Sequence, residues 1–351
     1  MNTTIERSTI KKSLGRFVYN TLGSWERTQL VVTFSIILMV ILLSLVLKSP
    51  YTLGILILAT LYAYVGISWN IVAGFAGQLL IAHIIFLALG AYTTVTLLNR
   101  FDVSPWIGLP IGGLVSAVAG FIIALITLRY GLKMDYFALF TIALMVTLKT
   151  LFLKWDFVGG AVGMWIRLSE PSWGRMIFQD KHPYLYIATG LLIIGVLVQY
   201  QIYKSKMGKF FIAIREDEDA AASLGVNVSL YKTLALVIGA AMAGVGGGFY
   251  VMYVAFVEPP QVFDLGLNVE IVMASPIIGG LGSLVGPIIG AFLNKPLAEL
   301  IRGYLSFEKG GITLIVYGLF LVLAILFMPR GLAGVLRDIH HKLREAIKAK
   351  N

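Results

Sequence analysis

The chain has 351 residues, 58% of them hydrophobic and 13% charged, with 28 Lys and Arg against 18 Asp and Glu and a net charge of +10. A soluble domain carries about 25% charged residues. Half that fraction, with a mean hydropathy of +0.86, marks a polytopic helical membrane protein. The basic residues gather at the ends of apolar runs, as the positive-inside bias produces, so the charge needs no nucleic-acid partner. The absence of cysteine excludes disulfides, thiolate metal sites and thiol chemistry.

Residues 1–28 carry Arg7, Lys11, Lys12, Arg16 and Arg27 and are expected to form a cytoplasmic tail. No signal peptide is expected, because the first apolar run begins near Leu30 without a small-residue cleavage site after it. Spans are expected at 30–47, ended by Lys48-Ser49-Pro50, and at 51–73. Gly74-Phe75-Ala76-Gly77-Gln78 then breaks the apolar sequence, which resumes over 79–98 and stops at Asn99-Arg100-Phe101-Asp102. Further spans fall at 106–128 and, carrying Lys149, at 134–153. Residues 154–184 combine charges, Gly159-Gly160, Pro171, Pro183 and three tryptophans, Trp155, Trp165 and Trp173. Tryptophan favours the headgroup level, so an extracytoplasmic loop with an interfacial helix is expected there.

A span at 184–203 leads into the charged stretch 204–231, and 234–257 follows. In that span Ala240, Gly244 and Gly248 recur every fourth position, a pattern for close helix–helix approach. Residues 268–303 and 311–328 are apolar, and 329–351 form a basic tail with Arg330, Arg337, Lys342, Arg344, Lys348 and Lys350. Nine uninterrupted spans would put the two basic termini on opposite faces of the membrane, against the charge bias. Splitting 268–303 at Gly279-Gly280-Leu281-Gly282-Ser283-Leu284-Val285-Gly286-Pro287 resolves the conflict. The expected fold is therefore an all-α, polytopic integral membrane protein of about ten membrane segments, some broken or re-entrant, within 29–328. Both termini and the 204–231 stretch then face the cytoplasm.

That charged stretch has the physics of a short self-capped helix. Glu216, Asp217, Glu218 and Asp219 sit where a helix begins and favour its positive dipole end. Ala220-Ala221-Ala222 follows with the best helix propensity, and Gly225 supplies a left-handed terminator. The glycine breaks around Gly77 and Gly282 suit either discontinuous helices of a transporter site or tight helix packing. Asn70, Gln78 and His83 are the polar residues nearest the first break. Lys149 and Glu270 are intramembrane charges, which face a cavity or partner, or snorkel from a span end. No phosphate-binding glycine loop, nucleophile elbow or second histidine at metal spacing is present, so no cofactor, metal ligand or catalytic residue is expected.

Three stretches carry a resemblance. Asp219-Ala220-Ala221, three residues, then Gly225 resembles the Glu-Ala-Ala-x-x-x-Gly loop of ABC-importer permeases. Gly208-Lys209 through Ala213-Ile214-Arg215-Glu216-Asp217-Glu218 to Leu224-Gly225 is similar to branched-chain amino-acid permeases of the LivM type. So are Gly74-x-x-Gly77-Gln78 with His83, Phe86 and Gly90-Ala91-Tyr92-Thr93, and the late string Gly279-Gly280-x-Gly282-Ser283-x-x-Gly286-Pro287-x-x-Gly290-Ala291. The matches lie in family order over roughly residues 55–335.

The resemblance implies a permease subunit of a bacterial or archaeal cytoplasmic membrane, with no chemistry of its own. Separate ATP-binding subunits would dock on Arg215, Asp217, Glu218, Asp219, Ala220, Ala221 and Gly225. A second related permease and an extracytoplasmic binding protein complete the implied assembly. Gly77, Gln78, His83, Glu270 and Gly282 are the candidate pathway residues. Asp219 replaces the usual Glu, Leu80 and Ala82 replace the usual Ser and Gly, Ile84-Ile85 replace smaller residues, and Lys295-Pro296 interrupts a usually smoother run. A greasier first break leaves a urea or short-amide permease as the alternative substrate class. An ion-coupled secondary transporter would need more charges deep in the spans, and an intramembrane enzyme would need paired catalytic side chains.

Overall fold

The computed structural model describes residues 25–131, 134–167, 170–305 and 310–350. Of the expected N-terminal tail only residues 25–28 fall within these, where they open the first helix. Eight helices among the described residues are long and apolar enough to cross a bilayer. Seven are α1 (Trp25–Val46), α2 (Pro50–Trp69), α3 (Ile84–Phe101), α4 (Pro105–Arg129), α5 (Met134–Lys154), α6 (His182–Lys204) and α9 (Val228–Val254). The eighth, Ile315–Lys342, begins within α14 (Gly310–Phe327) and extends beyond its end. Between α6 and α9 lie two short helices, α7 (Lys206–Glu216) and α8 (Glu218–Ser223). Proline opens α2, α4 and α6, where the missing N–H would be unpaired in any case.

The 268–303 stretch is split as its glycines require. Short α10 (Pro259–Val262) and α11 (Leu265–Asn268) lead into a π-helical turn, Val269–Met273, and α12 (Ala274–Gly279). After the glycine turn, α13 (Gly286–Leu305) runs back and α14 returns. Counting α10–α12 and α13 as one segment each gives ten, in the order read from the sequence. The basic residues 331–350 form an amphipathic helix, α15 (Gly331–Lys350), whose His340 packs on Trp25 and Thr28 of α1.

Similar hydropathy hides different environments. The apolar window of α2 is 89% buried and that of α9 is 72% buried, against 28% for α1 and α5, so α2, α3 and α9 form the centre of the bundle. Small residues let α4 pack closely on α3 and α9: a Cβ on Gly112 would stand 2.9 Å from the Gly90 carbonyl oxygen, and one on Gly244 would stand 2.7 Å from that of Gly112. Ala240, Gly244 and Gly248 therefore lie on the face of α9 that meets α3 and α4, as their spacing predicts.

The loop between α5 and α6 corrects one expectation. Among its described residues it holds single 3-10 turns, Asp156–Val158, Gly160–Val162 and Trp173–Arg175, rather than an interfacial helix. Gly159, Gly160 and Gly163 all take positive φ, which stops any helix from propagating. The chain there forms instead a strand, β1 (Met164–Trp165), antiparallel to β2 (Phe256–Val257) after α9, with Trp165 on Phe256 at 4.1 Å. This loop end lies opposite the end carrying α7, α8 and α15. Lys181 ties it to the start of α2 through the Pro50 carbonyl at 3.0 Å.

Candidate functional site

The site is built at the α7 end, where both glycine turns meet the charged stretch. Ser205 ends α6 and caps α7, accepting from the Gly208 N–H at 3.2 Å. Asp217 is extended (φ −159°), breaks the helix and caps α8 by accepting from the Ala220 N–H at 2.9 Å. Glu218 and Asp219 then occupy the dipole-favoured first turn. Gly225 (φ +84°) closes α8: its N–H reaches the Ala222 carbonyl at 2.9 Å and the Val226 N–H reaches Ala221 at 3.1 Å. That pair of bonds is a Schellman terminator. The expected self-capped helix is thus present, preceded by a second helix built from the basic half of the stretch.

The candidate residues of α8 divide by face. Ala221 is 3% exposed and seats α8 on the bundle, and Glu218 pairs with Lys232 at the start of α9. Asp217, Asp219, Ala220 and Gly225 point outward. Leu224, which stands in the motif shared with the LivM-type permeases but was not among the expected docking residues, is 86% exposed at the tip.

Arg215, on the last turn of α7, reaches into the bundle. Its Nη1 donates to the Gly74 carbonyl at 2.7 Å and lies beside Gly282. Gly77 passes beneath it at φ +68°, where a Cβ would meet the Arg215 Cγ at 2.7 Å. Both expected glycine breaks therefore end on one arginine. They are also stitched reciprocally. Asn70, at the end of α2, accepts from the Gly282 N–H at 2.7 Å and donates to the Ser283 carbonyl at 2.9 Å. Asn268, ahead of the second break, accepts from the Ile84 N–H at 2.9 Å and donates to Ile81 at 2.5 Å.

Broken backbone at membrane depth needs such partners, because no water replaces the lost helical bonds. Gln199 and Gln29 add two more, to the Ser283 carbonyl at 3.1 Å and from the Leu284 N–H at 2.9 Å. Gln78 donates to the Lys232 carbonyl at 2.8 Å, joining the first break to α9. His83 is fully buried, bonded to Ser68 Oγ at 2.9 Å and edge-on to Phe86. A cleft of about 1060 Å³ opens below the second turn, lined by Arg215, Gly282, Arg330, Arg337 and Asp338 among others.

Two intramembrane charges stand apart from this junction. Lys149 is half-buried near the loop end of α5. Glu270 lies in the π-helical turn before α12 and pairs with Lys295 and Arg302 of α13. The run-breaking Lys295 is thus the buried partner of Glu270, a pairing that 25 residues of separation conceal.

A family model described as the permease component of the branched-chain amino acid transport system matches residues 51–327. The chain belongs to this family. The match runs from α2 to α14 and takes in both glycine turns, Arg215 and α8, so family membership makes this chain a transport permease subunit. The permease is 28% identical over 313 residues to the high-affinity branched-chain amino acid transport system permease protein LivM of Escherichia coli (strain K12), covering 82% of this chain and 71% of that one. LivM of Salmonella typhimurium (strain LT2) gives the same identity and coverage. A probable branched-chain amino acid transport permease protein LivH from Methanocaldococcus jannaschii is 25% identical over 259 residues, or 70% of this chain and 80% of that one. No solved structure matches the permease.

Proposed function

We propose that the permease is the membrane-spanning subunit of an ABC importer for branched-chain amino acids, driven by ATP hydrolysis in separate subunits that grip α8. The family match supports the importer and its substrate class, and the observation that carries the coupling route is Arg215, which joins the exposed α7–α8 elbow to both glycine turns at once. The α7 end and both termini face the cytoplasm, and the loop end receives a soluble binding protein. A second, related permease completes the cavity. Leu224 offers an apolar anchor for the ATP-binding subunit, while Asp217, Asp219 and Gly225 set the shape of the docking helix. Closure of those subunits moves α8; Arg215 passes the movement to the turns at Gly74–Gly77 and Gly280–Ser283, which carry the ends of α2, α3, α12 and α13. Rocking of these helices alternates access to the cavity. Gln78, His83, Gly77 and Gly282 thus act near the moving junction, as hinge and packing elements of the path.

The test is co-purification from membranes of the complete transporter. With Asp217→Lys and Asp219→Lys together, the permease is expected to stay monodisperse in detergent, lose its ATP-binding subunit and lose ATP-dependent leucine uptake. Retention of both the subunit and the uptake sinks the docking assignment.

A further inference from the structure

Four ionised side chains close into a ring between the second broken helix and α13. Arg302 Nη2 pairs with Glu270 Oε2, and Glu270 Oε1 lies 3.4 Å from Lys295 Nζ. Lys295 Nζ lies 2.5 Å from Glu299 Oε1, which returns to Arg302 Nη1 at 3.2 Å. The charges alternate in sign and sum to zero. The Lys295 side chain is 2% exposed and Glu270 9%, whereas Glu299 is 20% and Arg302 44% exposed, so the ring is closed on one side and open on the other. Arg302 lies about 24 Å along α13 from Gly286, at 1.5 Å per residue, which turns the open side toward the loop end. Lys295 also stands over the Tyr62 ring of α2 at 5.2 Å.

Only Glu270 crosses to α13, since the Lys295–Glu299 and Glu299–Arg302 pairs lie within that one helix, so most of the ring does no work in holding helices together. Ionised groups inside a membrane segment mark a substrate or ion path by default. The ring restricts what that substrate is. A lone cation or anion entering it leaves one net charge in a low-dielectric site, whereas a zwitterion exchanges pair for pair and leaves none. The geometry points to the Glu270–Lys295–Glu299–Arg302 ring as a recognition site for the head group of a zwitterionic α-amino acid. The ligand carboxylate replaces Glu299 on the Arg302 guanidinium, and the ligand ammonium takes the Glu299 carboxylate so released. Glu270 and Lys295 stay paired behind them. This assignment rests on the amino-acid importer reading and names the residues that would select the substrate.

The test is calorimetric binding to the purified transporter with its ATP-binding subunits, using L-leucine, isoamylamine (leucine without its carboxylate) and isocaproate (leucine without its ammonium). Wild-type protein is expected to bind leucine about 10- to 100-fold more tightly than either analogue, the range of one charge-assisted hydrogen bond. Glu299→Gln leaves the ring at net +1 and shifts preference toward isocaproate; Arg302→Gln leaves net −1 and shifts it toward isoamylamine. Equal binding of all three probes by wild type, no binding of any, or an equal loss for all probes in both variants overturns the site. The wild-type comparison stands even if neither variant folds. Leucine uptake by the intact transporter is measured in parallel. Uptake without the selectivity pattern removes the site alone, whereas absence of uptake removes the importer reading as well.

Discussion

Arg215→Ala tests the junction most directly. The substitution removes the bond from Nη1 to the Gly74 carbonyl at 2.7 Å and the guanidinium packed beside Gly282, while leaving the caps of α7 and α8 in place. A hydrogen bond to a charged group contributes about 1.5–3 kcal/mol. The Arg215 side chain is 35% exposed and also pairs with Glu216 at 2.5 Å, so solvent screening holds the loss to the lower end. About 1.5 kcal/mol on the coupling equilibrium is roughly a tenfold change. In proteoliposomes holding the complete transporter, leucine taken up per ATP hydrolysed is expected to fall about tenfold, with the ATP-binding subunit still attached and ATP still hydrolysed. Arg215→Lys keeps the charge but not the forked geometry and should recover only part of the coupling. An unchanged transport-to-hydrolysis ratio in Arg215→Ala would refute the reasoning, and so would loss of the subunit.

Three further outcomes follow from the same geometry. Asp217→Ala removes the α8 cap and should destabilise that helix by about 1 kcal/mol, read as faster amide exchange over residues 218–224 with the spans unaffected. Asn70→Leu orphans the Gly282 N–H, the Ser283 carbonyl keeping Gln199, while Asn268→Leu orphans the Ile84 N–H and the Ile81 carbonyl; each should cost about 1–3 kcal/mol, read as lower thermal stability in detergent, and a double variant that is strictly additive would deny that the two stitches share one junction. Gly90→Ala drives a methyl into the Gly244 backbone on the neighbouring helix, so the yield of folded protein should collapse, whereas Gly190→Ala, with nothing within 4 Å of the added Cβ, should be neutral.

Much of this molecule is legible from local sequence. The cap at Asp217, the alanine run and the terminator at Gly225 lie within nine residues, so their chemistry acts before any tertiary contact forms. The small-residue rows of α9 and the split at Gly279–Gly286 are also local signals, of spacing and of helix breaking. The interfacial helix expected between α5 and α6 failed for an equally local reason: three glycines at positive φ outweighed the tryptophans. What escaped was pairing across distance. Asn70 was noted only as a polar neighbour of the first break, yet its partners are Gly282 and Ser283, more than two hundred residues later. Asn268, Gln199 and Gln29 carry no motif, because a single amide in an apolar run looks the same whether it stitches a broken backbone or merely faces a neighbour.

The sequence by itself determined an all-α membrane chain of about ten segments, the two places where its helices break, and a charged elbow between the sixth and seventh spans. Those properties follow from hydropathy, helix propensity and backbone freedom, which each residue carries with it. Only the tertiary structure decided that both breaks converge beneath Arg215, that Ala221 faces inward while Leu224 stands free, and that Glu270 closes a ring with Lys295, Glu299 and Arg302. Those depend on which helix faces lie side by side. That choice is set by summed packing across the bundle, where a buried polar atom settles on whichever partner the packed helices place within reach.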